Sequence, residues 1–139
     1  MEQADLLERR LADAAGLAGV LAVAWEVFEF VRVLCAAGAA QAADLYPAFT
    51  FARGPAVSGR NALALAPSLP EGFPTPPRSP VAPTGEADEI ADSIVGLASA
   101  LSERLREAAG LAADPDDRTA CADAAYDAAR ISELLAGGM

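Results

Sequence analysis

The chain has 139 residues, a net charge of −10 and no histidine, and all ten of its basic residues are arginine. A balance this acidic argues against a nucleic-acid or anionic-membrane partner, since both need a cationic face. The absence of histidine removes Ser-His-Asp and Cys-His catalysis, His-bearing zinc sites and the Glu-x-x-His pairs of di-iron bundles. About a quarter of the residues are alanine and 6% are aromatic, which favours helix over sheet.

Residues 2–15, EQADLLERRLADAA, read as a helix. Leu6, Leu7, Leu11, Ala14 and Ala15 form one stripe, and Glu8, Arg9, Arg10 and Asp13 form another. The acids in MEQADLLERR stand where a signal peptide carries cations, which predicts a cytoplasmic protein. Gly16 and Gly19 then weaken the chain, leaving open whether one long helix or two runs from residue 1 to Asp44.

The stretch from Leu17 to Leu34, LAGVLAVAWEVFEFVRVL, is the segment the rest must cover. At about 100° per residue, Glu26, Glu29 and Arg32 share a strip roughly 120° wide. Val20, Ala24, Val27, Phe28, Val31 and Leu34 lie opposite, and Val23, Phe30 and Val33 carry apolar surface further round. Such a helix needs neighbours on several sides, in one bundle or shared between subunits. The three central charges speak against a membrane span, at roughly 2.5–3.5 kcal/mol each.

Asp44 is a plausible cap for a helix over about 45–66, with Pro47 in its first turn and Tyr46, Phe49 and Phe51 near its start. Gly54-Pro55 should kink it and Pro67 should end it. Residues 67–84 hold seven of the ten prolines and read as a stiff linker, able to span about 50 Å as an extended segment. Thr84 then caps a helix whose seam is Ala87, Ile90, Ile94, Leu97, Leu101 and Leu105. Asp114-Pro115-Asp116-Asp117 is the clearest helix start in the chain. The last helix places Cys121, Ala124, Ala128, Ile131 and Leu135 on one seam, and Gly137-Gly138 stops it.

An internal echo appears at a shift of 70 residues. Val20, Val27 and Val31 face Ile90, Leu97 and Leu101, Arg60 matches Arg130, and Leu65 matches Leu135. This register predicts an all-α protein of one domain: a first helical half (1–66), a proline-rich linker (67–84) and a second hairpin (85–139). The expected architecture is an antiparallel four-helix bundle with an extra N-terminal helical segment.

Chemistry-bearing patterns are sparse. Glu26 and Glu29 are the only carboxylate pair in a desolvating setting, and Arg32 stands one turn from Glu29, where an ion pair is the simplest use of both. Ser58 lacks the spacing of a nucleophile elbow, and no phosphate loop or dinucleotide fingerprint is present. Cys35 and Cys121 fall on apolar helical positions and are expected as buried, reduced core residues. No cofactor and no metal is expected.

The expected function is a non-enzymatic interaction or structural protein, self-associating as a homo-oligomer with a dimer as the first guess. Trp25, Glu26, Phe28, Glu29 and Arg32 are its expected interface. The alternative is a small-ligand-binding regulator, with an aromatic pocket of Phe49 and Phe51 beside the kink and Arg60 or Arg53 near its mouth. The charge also admits a basic protein partner. An alanine- and arginine-rich, lysine-free composition fits a bacterial source.

Overall fold

The computed structural model describes residues 2–42, 47–70 and 86–137, and these fold as five α-helices with no strand among them. The helices are α1 (Glu2–Asp13), α2 (Gly16–Ala42), α3 (Pro47–Ala64), α4 (Ala87–Leu111) and α5 (Pro115–Gly137). Asp44, Tyr46, Thr84 and nearly all of the proline linker lie outside the described residues.

The chain breaks between α1 and α2 rather than bending as one helix. Ala14 and Ala15 are non-helical, and Gly16 has φ +75°, a left-handed conformation that L side chains rarely adopt. Arg104 of α4 donates to the carbonyls of Leu11 (3.2 Å) and Ala14 (2.7 Å), capping the end of α1 from across the molecule.

Helix α3 begins at Pro47, where a missing N–H costs nothing, and stays helical on both sides of Gly54-Pro55. It ends at Ala64, earlier than Pro67. The following turn closes through Leu65 N–H to Ala62 O and Ala66 N–H to Leu63 O, because the residue before a proline disfavours the helical region. The N-cap of α4 is Glu86, not Thr84, and its side chain makes no capping bond. Helix α5 starts at Pro115 as its sequence signals, with Asp116 N–H donating to the Asp114 carboxylate at 2.7 Å.

One core collects side chains from all five helices. Helix α2 packs on α3 and α4, and α5 packs on the same two; α1 lies against α4 and, less extensively, α2. Val20, Ala24, Val27, Phe28, Val31 and Leu34 are buried, as are Ile90, Ile94, Leu97, Leu101 and Leu105 opposite them. The α2–α3 contact is made by rings on glycines. Phe28 lies on Gly59 and Phe49 lies on Gly38, where an added Cβ would come within 2.6 Å of the Phe49 ring. The α4–α5 contact includes alanines and three serines: Ser102 donates to the Ala125 carbonyl, and Ser99 and Ser132 bond at 2.9 Å. Among the described residues, no helix is long and apolar enough to cross a membrane.

Candidate functional site

Glu29 is buried on the central helix, and two guanidiniums converge on its carboxylate. Arg32 reaches it from the next turn of α2. Arg60 donates to both of its oxygens from α3, at 3.0 and 3.1 Å. Both bonds come from Nη1, so one charged nitrogen is shared between the two carboxylate oxygens, and each bond is charge-assisted. Phe28 and Gly59, each one residue before this pair, set the two helices close enough for Arg60 to reach.

Glu26 lies one turn earlier and nearer the surface. It pairs with Arg10 of α1 at 2.7 Å, both partners being partly exposed. The polar strip of α2 therefore serves two neighbours, α1 through Glu26 and α3 through Glu29. Trp25 and Phe28 are buried beside it.

Of the residues singled out in the sequence, Glu29, Arg32 and Arg60 come together, with Phe28 beside them. The two phenylalanines of α3 part company: Phe49 is buried on Gly38, while Phe51 is 67% exposed. Arg60 turns to Glu29 and to the side chain of Asn61.

A second buried carboxylate was not visible in the sequence. Asp117, in the first turn of α5, accepts from the backbone N–H of Ser68 at 3.0 Å and from its hydroxyl at 2.6 Å. It ties the turn after α3 to the start of α5, and its charge sits at the positive end of the α5 dipole. Its position inside Asp-Pro-Asp-Asp was the only available signal, since its partner lies 49 residues away.

The two thiols are free and buried. Burial pushes Cys35 up to about 12, against a smaller lowering by Arg53. Burial pushes Cys121 up to about 11, and the charge of Asp117 adds to it. Both are protonated at neutral pH and poor nucleophiles. Burial also raises Asp127, with Asp123 acting in the same sense, while its hydrogen bond with Ser58 and the charge of Arg130 act in the opposite sense. Among the described residues no group of three or more Cys, Asp or Glu side chains is placed to hold a metal ion.

The chain matches no protein-family model, no curated protein and no solved structure.

Proposed function

We propose that this protein is a non-enzymatic, self-associating interaction protein, built as an antiparallel four-helix bundle of α2 to α5 with α1 as an added segment. Antiparallel order is supported by contacts in which one residue number rises as the other falls. Phe28 meets Gly59 while Gly38 meets Phe49; Ser99 meets Ser132 while Ser102 meets Ala125; Ser58 meets Asp127 while Ser68 meets Asp117. In that arrangement the ends of α3 and α4 share one end of the bundle with the starts of α2 and α5.

The observation that carries self-association is what stands at that end. Leu65 is 79% exposed and Leu111 is 85% exposed, the most exposed large apolar side chains among the described residues. A second copy meeting the molecule there removes both from water, at about 25 cal/mol per Å² of apolar surface. The buried ionisable groups support a structural role, since Glu29 joins α2 to α3 and Asp117 joins α5 to the turn after α3.

Light scattering on the full chain at tens of micromolar tests the reading. Twice the chain mass, falling on Leu65→Glu or Leu111→Glu with the helical spectrum unchanged, is the expected result. A wild-type chain that stays monomeric throughout contradicts it.

A further inference from the structure

We infer that α1 is an exchangeable arm: it leaves its seat on α4, straightens into one continuous helix with α2, and docks in the same seat on a second copy of the chain. This rests on the self-association proposed above and names the partner and the surface.

The first observation is a conflict at the α1–α2 junction. Alanine is the strongest helix former, yet Ala14 and Ala15 are left out of both helices. Gly16 is held at φ +75° to let the chain double back. Straightening returns all three to helical geometry. The carbonyls of Leu11 and Ala14, now served by Arg104, would accept from the N–H groups of Ala15 and Ala18 as in any helix.

The second observation is how lightly α1 is held. Among the described residues it buries Ala4 and Leu11 and half-buries Leu7, and its polar ties include Arg10 to Glu26 and the two bonds from Arg104. The seat already fits α1, so α1 of an identical chain fits it equally well, which is why exchange of an identical element is a low-cost route to a dimer. The straightened helix would leave the bundle at the end where Leu65 and Leu111 stand, bringing two copies together there.

The test uses the full chain and reads mass against concentration. Gly16→Ala disfavours the doubled-back form and favours the straight helix, so the dimer should tighten at least about tenfold. Arg104→Ala leaves the hinge untouched, removes the cap that holds the closed form, and should shift the mass the same way. Adding Leu11→Asp to Gly16→Ala should restore the monomer, because α1 then fits neither seat. Far-UV circular dichroism checks that each variant stays helical, and if Gly16→Ala fails to fold, Arg104→Ala with and without Leu11→Asp decides alone.

Tighter dimers that Leu11→Asp abolishes support exchange. No tightening in either single variant, or a dimer that survives Leu11→Asp, overturns it. A wild-type dimer that these variants leave unmoved keeps the self-association reading and removes only the arm.

Discussion

The ring of Phe28 rests directly on the backbone of Gly59, leaving no room for a side chain there. A methyl group at Gly59 must push the ring away, and the ring lies in a close-packed core. Gly59→Ala should therefore cost about 1–3 kcal/mol, read as a lower urea midpoint. Gly96→Ala, where an added Cβ meets nothing within 4 Å, should be neutral or stabilising by up to about 1 kcal/mol. Phe28→Leu should recover part of the Gly59→Ala loss, as expected for two residues in contact. Equal effects at Gly59 and Gly96 would show that the two helices do not approach this closely.

Glu29 and Glu26 should separate sharply when removed. Glu29→Ala strands two arginines that its buried carboxylate had paired, and should cost about 1–3 kcal/mol, below the cost of breaking a fully buried pair because both arginines reach water. Glu26→Ala breaks a partly exposed pair with Arg10 and should cost less than about 0.5 kcal/mol. Chemical denaturation of the two variants measures both. A cost at Glu26 equal to that at Glu29 would contradict the assignment of Glu29 as the tie between α2 and α3.

The thiols set a pH dependence whose sign follows from burial. In the unfolded chain they ionise near 9.0, and in the fold near 12 for Cys35 and near 11 for Cys121. Their contribution to stability is complete below about pH 9 and is lost as the pH rises toward those folded values. Stability should therefore fall above pH 9, less steeply in Cys35→Ala/Cys121→Ala, and a thiol reagent at pH 8 should react only as fast as the chain opens. Rapid modification of the native chain would contradict this burial.

The sequence made the two long apolar helices legible, but not all that joins them. The 70-residue echo holds for α2 and α4: Val20, Leu21, Ala24, Val27, Phe28 and Val31 are buried, and so are Ile90, Ala91, Ile94, Leu97, Ala98 and Leu101. It fails for α3 and α5, where Phe49, Ala52 and Ala56 are buried but their counterparts Thr119, Ala122 and Tyr126 are exposed, so these two helices do not bury corresponding positions. Alanine-rich helices allow this because many faces are small enough to pack. The pairing of Glu29 with Arg32 could be read from their spacing, and the buried cysteines from their apolar positions. Arg60 and Ser68 could not be placed, since their partners lie 31 and 49 residues away and depend on how the helices register. The break at Gly16 was undecidable locally because Ala14 and Ala15 favour helix; Arg104, from the far side of the chain, helps hold them out of it.

Amide hydrogen exchange along α2 tests most directly whether this helix is the element the others cover. The account predicts that the amides from Leu21 to Leu34 exchange only through global unfolding, with a free energy equal to the denaturant value. Exchange of these amides through local opening, with the rest of the fold still protected, would contradict it.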